Sequence, residues 1–355
     1  MKTLDPIIKE KILEGMVIPA HPLVLTRERQ LDEKRQRILT KYYMAAGAGG
    51  IAVGVHTTQF EIRDPAFNLY SKVLSLASAE VEKANLNRPF VRVAGVSGPT
   101  EQAIAEAKIA SGLNYDLALI SVNGLQHWSE SELLKRAEKI AEEIPVFGFY
   151  LQPAVGGKYL SFDFWRNFAD IPNVHAIKIA PFNRYQTLDV VRAVCHSSRC
   201  DQIALYTGND DNIVIDLLTR YQIKSNGHHK EKSIVGGLLG HWAVWTKEAV
   251  ALFDHILKVR DGSEKITMAL LEKANQITDA NAVFFDAKNN FKGCISGIHE
   301  VLRRQGLMEN VLCLSPEEKL SPGQKEEIDR IYEDYPDLND DHFVKEHLSQ
   351  WTNDI

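Results

Sequence analysis

Eight short runs rich in β-branched residues alternate with longer stretches of helical periodicity between residues 17 and 240, and beyond them helical periodicity continues alone. This alternation predicts an α/β chain of repeated strand and helix units around a parallel sheet. Eight such units close most naturally into a (β/α)8 TIM barrel with a C-terminal helical extension. The barrel, with an N-terminal helix, is expected over residues 1–258 and the helical region over 259–355. The chain has 355 residues, of which 45% are hydrophobic. That is enough apolar material for one barrel of about 250 residues plus an appendage.

In chain order, the strand runs are residues 17–20, 50–55, 90–95, 117–120, 146–150, 174–179, 203–206 and 233–238. Glycine and proline mark their limits. Gly47, Gly49 and Gly50 lead into the second run, Gly98 and Pro99 follow the third, and Pro145 and Pro172 precede the fifth and sixth. The polar stretch His228, His229, Lys230, Glu231 and Lys232 reads as a solvated loop before the eighth run. Helical periodicity then covers 243–258, 264–280, 291–305, 323–334 and 341–351, and these amphipathic segments need a surface to bury against.

A net charge of -6 without a basic block argues against a nucleic-acid groove or an anionic membrane as partner, leaving small molecules as the expected ligands. The first residues lack the apolar core of a secretory signal and no apolar run reaches membrane-spanning length, so a soluble cytoplasmic protein is expected. Cys195, Cys200, Cys294 and Cys313 form no CxxC pair, which points to reduced, structural thiols.

Side chains alternate faces along a strand, so Val174, Ala176, Lys178 and Ala180 share one face while His175, Ile177 and Ile179 share the other. The bulky isoleucines suit the helix-covered face, which turns Lys178 inward near the C-terminal end of its strand, where barrel active sites lie. On the preceding strand Val146, Gly148 and Tyr150 share a face and Phe147 and Phe149 the other. Lys178 and Tyr150 are therefore expected to meet on neighbouring strands. A lysine in a low-dielectric interior loses part of its preference for the charged form, which raises the neutral fraction able to attack a carbonyl. Formation and collapse of the carbinolamine need a proton relay, a role a phenol can fill. The plain alternatives are a snorkelling or ion-paired lysine and a strand-end aromatic packed for its area.

The run from Val146 to Pro153 through Tyr150, together with Pro172-Asn173-Val174-His175-Ala176-Ile177-Lys178, resembles the dihydrodipicolinate synthase and N-acetylneuraminate lyase family. The likeness extends from Gly15 to Ala20, through 46–50, to Gly208-Asn209-Asp210-Asp211. It implies a class I aldolase or lyase fold, pyruvate or another 2-keto acid as Schiff-base partner of Lys178, Tyr150 as proton relay, no metal or other cofactor, and a homo-oligomer, dimer or tetramer. After its second strand the family carries a Gly-Thr-Thr-Gly-Glu stretch that holds the keto-acid carboxylate and relays protons. Here the stretch is Val55-His56-Thr57-Thr58-Gln59-Phe60. The match assigns Thr58 to the relay and Thr57 to the carboxylate, with His56 and Gln59 in place of both glycines. Two further departures stand out: Ser121-Val122-Asn123-Gly124 replaces the Pro-Tyr-Tyr that ends the fourth strand, and Val155 falls where dihydrodipicolinate synthase has an arginine. Both argue for a divergent member and against authentic dihydrodipicolinate synthase.

Other polar residues at strand ends are His21, His56, Asn123, Asn209, Asp210, His241 and Trp242. His56 is the candidate acid or base in place of the absent tyrosine, Asn123 and Asp210 are candidate substrate contacts, and Gly237 could offer a backbone amide to an anion unless it serves close packing. No HxH or HExxH pair occurs near the strands, so no metal site is expected. The leading expectation is a Schiff-base lyase or aldolase acting on pyruvate or a 2-keto(-3-deoxy) acid, with an aldehyde as second substrate. A sugar-acid dehydratase on the same fold, or a barrel that binds a keto acid or sugar acid without turning it over, are the alternatives.

Overall fold

The structure is a computed structural model and describes residues 2–225 and 227–354. Its strands are β1 (Val17–Pro19), β2 (Gly50–Val53), β3 (Val91–Val96), β4 (Leu117–Ile120), β5 (Val146–Leu151), β6 (Val174–Ala180), β7 (Ala204–Thr207), β8 (Arg220–Ser225) and β9 (His228–Leu239). Its α-helices are α1 (Pro6–Glu14), α2 (Glu33–Ala46), α3 (Tyr70–Ala84), α4 (Thr100–Gly112), α5 (Glu130–Ala141), α6 (Phe162–Asp170), α7 (Arg184–His196) and α8 (Ile213–Leu218), followed by α9 (Thr246–Asp261), α10 (Met268–Phe284), α11 (Cys294–Arg304), α12 (Gln324–Asp334) and α13 (Asp341–Asn353). All eight expected strand runs coincide with strands, and each of the five C-terminal helical stretches overlaps a helix. The chain divides into two compact units, one comprising the residues through Met16 together with Val91–Leu238, the other Val17–Phe90 together with the chain from Leu239 onward.

In the first unit β3, β4, β5, β6, β7 and β9 lie side by side in that order, each neighbouring pair parallel. Strands β4 to β7 are buried at every position. That is why they read as apolar runs without polar alternation, the pattern of parallel strands covered on both faces. The connecting helices start on side chains suited to the task. Ser129 accepts from the Glu132 amide while the Glu132 carboxylate accepts from the Ser129 amide, and Asn183 Oδ1 accepts from the amides of Tyr185 and Gln186.

The stretch 228–232 is a correction to the expected loop: it is the first half of β9, paired antiparallel with β8, a strand absent from the sequence reading. The hairpin is charged because both its strands are largely solvent-exposed at this end, and Gln222 Nε2 donates across it to Glu231 Oε2 at 2.8 Å. Lys230 and Lys232 donate to the carbonyls of Cys195 and Cys200, each at 2.6 Å. Cys195 lies in the last turn of α7, where carbonyls lack helical partners and a cation is favoured.

In the second unit β1 and β2 meet through a parallel bridge between Ala20 and Ala52. The C-terminal helices are anchored here by one buried carboxylate. Asp340 accepts from Tyr42 Oη of α2 at 2.7 Å, from the Lys247 amide of α9 at 2.9 Å and from Gln305 Nε2 at 2.6 Å. Tyr42 and Trp351 meet edge-to-face at 6.0 Å between centroids, giving α13 the apolar surface its pattern requires. All four cysteines are buried, and none forms a disulfide among the described residues. Among the described residues no helix is long and apolar enough to cross a membrane.

Candidate active site

Lys178 stands near the end of β6, and the way β5 pairs with β6 decides its neighbours. Val146 pairs with Val174, but the register then shifts and Phe147 pairs with Ala176, leaving His175 as an extra residue on β6. A one-residue slip exchanges the faces of a strand. Phe149, not Tyr150, is consequently registered with Lys178. The Lys178 Nζ lies 4.4 Å from the centre of the Phe149 ring. Tyr150 faces the helix layer, with its ring 5.1 Å from Trp165 of α6 and its hydroxyl accepting from the Leu160 amide at 3.3 Å. The expected meeting of Lys178 and Tyr150 is thus overturned by the bulge. Gly148 confirms the assignment of faces, because a Cβ there would fall 2.5 Å from the Phe168 ring of α6.

Lys178 is 7% exposed, and no hydrogen bond holds its amine among the described residues. Burial pulls its pKa down to about 8, opposed by the nearby negative charge of Asp210. Room for the side chain comes from Gly208 at the end of β7: a Cβ there would sit 2.4 Å from Lys178 Cε. Tyr206, registered with Lys178 from β7, donates its hydroxyl to the Ile12 carbonyl at 3.0 Å, and burial holds its pKa well above the usual phenol range.

The backbone beyond β7 is fixed by a network that the sequence reading missed. Asp216 of α8 is buried and accepts from Thr207 Oγ1 at 2.7 Å, Asn209 Nδ2 at 3.0 Å and Asn212 Nδ2 at 3.1 Å, and it pairs with Arg184. Asn209 Oδ1 in turn accepts from the Phe182 amide at 3.0 Å, holding Phe182 at a φ of 53° in the loop after β6. A bulky residue in the left-handed region needs such support. The Asn209 side chain is thereby committed away from Lys178, and the buried Asp210 follows it.

The other expected site residues of this unit fare differently. Asn123, half-buried after β4, lies against Gly156 in the loop after β5, where a Cβ would come within 2.2 Å of its Oδ1. Gly237 is not free to bind an anion, because its amide donates to the Met16 carbonyl at 3.1 Å. Its neighbour Gly236 shows the reason for glycine here, since a Cβ would fall 2.5 Å from the Met16 nitrogen. Close backbone packing accounts for Gly236.

In the second unit, the turn after β2 is a short 3-10 segment, His56–Thr58. Thr57 Oγ1 donates to the Ala20 carbonyl at 2.8 Å. Thr58 Oγ1 donates to the His21 carbonyl at 2.7 Å and accepts from the amides of Gly54 and Val55 at 2.9 and 3.3 Å. Both hydroxyls are committed to backbone groups. Gln59, at a φ of 68°, uses its Oε1 to accept from the Leu314 amide at 2.6 Å. His56 is half-buried with its ring 6.0 Å from Phe60. His21 is a structural group, within hydrogen-bond distance of Pro22 O and Thr40 Oγ1 at 2.9 Å each, and burial lowers its pKa to about 4. His241 is likewise lowered to about 4 by burial. Among the described residues no group of three or more His, Cys, Asp or Glu side chains is arranged to hold a metal ion.

No protein-family model and no curated protein sequence matches the chain. Solved structures do. A dihydrodipicolinate synthase from Oceanobacillus iheyensis matches with a TM-score of 0.73 at 17% identity, over 93% of this chain and 98% of that one. A prophage protein of the dihydrodipicolinic acid synthase family from E. coli K12, solved in complex with pyruvate, matches with a TM-score of 0.72 at 18% identity, over 91% and 98%. An N-acetylneuraminate lyase from Fusobacterium nucleatum matches with a TM-score of 0.70 at 15% identity, over 91% and 99%. With its alternating strands and helices and its run of C-terminal helices, the chain has the (β/α)8-barrel fold of the dihydrodipicolinate synthase and N-acetylneuraminate lyase structures.

Proposed function

We propose that this chain is a Schiff-base-forming lyase or aldolase that acts on pyruvate or another 2-oxo acid through Lys178. One observation carries the reading: a buried amine, depressed to about 8 and held by no hydrogen bond among the described residues, stands near the C-terminal end of a parallel strand beside a glycine that clears its path. At neutral pH such an amine has an appreciable neutral fraction, and only that form attacks a carbonyl. The likeness of fold to an N-acetylneuraminate lyase and to a protein of the dihydrodipicolinic acid synthase family solved with pyruvate supports the same substrate class. Condensation forms the C=N bond and releases water. The resulting iminium acidifies the adjacent C–H, and the enamine then adds to an aldehyde or arises from carbon-carbon cleavage. Asn123 is the proposed polar contact for the bound acid. No nucleic acid, membrane, metal or cofactor enters this scheme, and a cytoplasmic homo-oligomer is its proposed setting.

A second reading, binding without turnover, gains weight from the hydroxyls of Tyr150, Tyr206, Thr57 and Thr58, all of them committed to backbone groups. A dehydratase would use the same imine but expel a hydroxyl. Intact mass after incubation with pyruvate and borohydride separates binding from catalysis. An adduct present in the native chain and absent in Lys178→Ala is the expected result. Stoichiometric pyruvate binding without an adduct would overturn the lyase reading and favour the binding barrel.

A further inference from the structure

Imine chemistry at Lys178 requires a group that takes and returns protons beside the amine, and the usual source, a phenol on the adjacent strand, is missing. Phe149 occupies the position registered with Lys178, and its ring carries no exchangeable proton. Tyr150 is turned to the helix layer, where its ring packs against Trp165 and its hydroxyl accepts from the Leu160 amide. Tyr206 on the other flanking strand is bonded to Ile12 and kept as a neutral phenol by burial.

The flanking strand β7 supplies a different candidate. Gly208 and Asp210 are two residues apart beyond Thr207, and Gly208 lies against the Lys178 side chain. The intervening Asn209 is bonded to Phe182, Thr187 and Asp216. Asp210 is buried, and it is the charged group whose field acts on the Lys178 amine. The Asp216 network fixes the backbone that presents it, the kind of rigid support that a proton-transfer group needs.

We propose that Asp210 is the general base and acid of the Lys178 reaction, replacing the phenol of the neighbouring strand. This assignment rests on the reading of Lys178 as the imine-forming amine. In the step itself, the Asp210 carboxylate removes a proton from the carbon next to the iminium. The C–H electron pair becomes the C=C bond of the enamine, and the C=N pair returns to nitrogen. The protonated Asp210 then gives a proton back to carbon, or to the carbonyl oxygen of an incoming aldehyde. A carboxylate beside a lysine suits both duties, because it stabilises the iminium charge and accepts the proton that the charge makes acidic.

The test uses pyruvate as probe with the full chain. In D2O, proton transfer replaces the methyl hydrogens of pyruvate by deuterium, followed by NMR, while borohydride trapping independently reports imine formation. Asp210→Asn is expected to keep the trapped adduct and to lose at least about a hundredfold in exchange rate, the usual worth of a general base. Asp210→Glu, which keeps a carboxylate, is expected to recover part of the exchange and guards against a folding defect in the first variant. Exchange by Asp210→Asn within a few fold of the native rate would overturn the proposal. So would loss of the adduct together with exchange in Asp210→Asn, which would make Asp210 a positioning residue for the lysine. An adduct without exchange in the native protein would overturn it while leaving the Schiff-base reading intact, and no adduct in the native protein would overturn both.

Discussion

The end of β6 and the turn after β2 are both buried and polar, yet they treat their functional groups in opposite ways. In the turn, Thr58 makes three hydrogen bonds to backbone groups and Thr57 is bonded to Ala20. At the end of β6, the Lys178 amine makes none among the described residues, resting on an aromatic ring with a carboxylate nearby. A polar group saturated by the backbone holds a shape, whereas one left uncommitted in a low-dielectric site is available for chemistry at a cost in stability. On the proposed reading the two regions divide scaffold from reactivity, and substitutions should separate them.

The largest effect is expected at Lys178. Lys178→Ala should abolish pyruvate methyl exchange while the protein remains folded by circular dichroism, since the side chain contributes no hydrogen bond. Retained exchange would place the reactive amine elsewhere. Next comes Thr58→Val, which strands two buried amides and one carbonyl. It should lower unfolding free energy by about 3 kcal/mol in denaturant titrations, at about 1 kcal/mol or more for each unsatisfied group. Unchanged stability would mean the turn is not the scaffold argued here.

The pH dependence of stability sharpens the contrast further. The lysine pKa is about 8 when folded and near its ordinary value, about 10.5, when unfolded. The charged form is thus penalised in the fold. Below pH 8 the destabilisation is present in full, and it fades as pH rises through 8 toward 10.5, because there the unfolded chain holds a proton that the folded chain has released. Across that window this one group should add up to about 1.4 kcal/mol of stability per pH unit. Lys178→Met should remove that slope and be the more stable protein at pH 7, which paired denaturation curves would reveal. The smallest effect is expected from Tyr150→Phe. Its hydroxyl contacts with Leu160 are long, at 3.3 and 3.5 Å, so the loss should be less than about 1 kcal/mol with trapping by pyruvate unaffected. A large loss of trapping would restore Tyr150 to the reaction.

Much of this was legible in the chain itself. The eight strands appear as apolar runs because both faces of a parallel sheet are covered, and the C-terminal helices other than the nearly fully buried α11 keep their period because they bury one side. Lys178 stood out as a lone cation inside such a run. What could not be read was the pairing between β5 and β6. Every residue of both strands is buried, so no polar alternation marks the point at which His175 is squeezed out of register. That single bulge moves Phe149 beside the lysine and turns Tyr150 away. The hairpin of β8 and β9 was missed for the opposite reason: exposed strands of lysine, histidine and glutamate look like loop. The commitment of Thr57, Thr58 and the Gly237 amide was equally hidden, because their partners at 20, 21 and 16 are distant in sequence.

The central claim is that Lys178 is the reactive amine, and locating the label tests it most directly. After pyruvate and borohydride, the native protein would be digested and the modified peptide sequenced by tandem mass spectrometry. A single reduced pyruvate on Lys178, forming at pH 8 without labelling of the exposed lysines, is the expected result. Label spread over surface lysines, or an unmodified Lys178 in protein that binds pyruvate, would contradict the account.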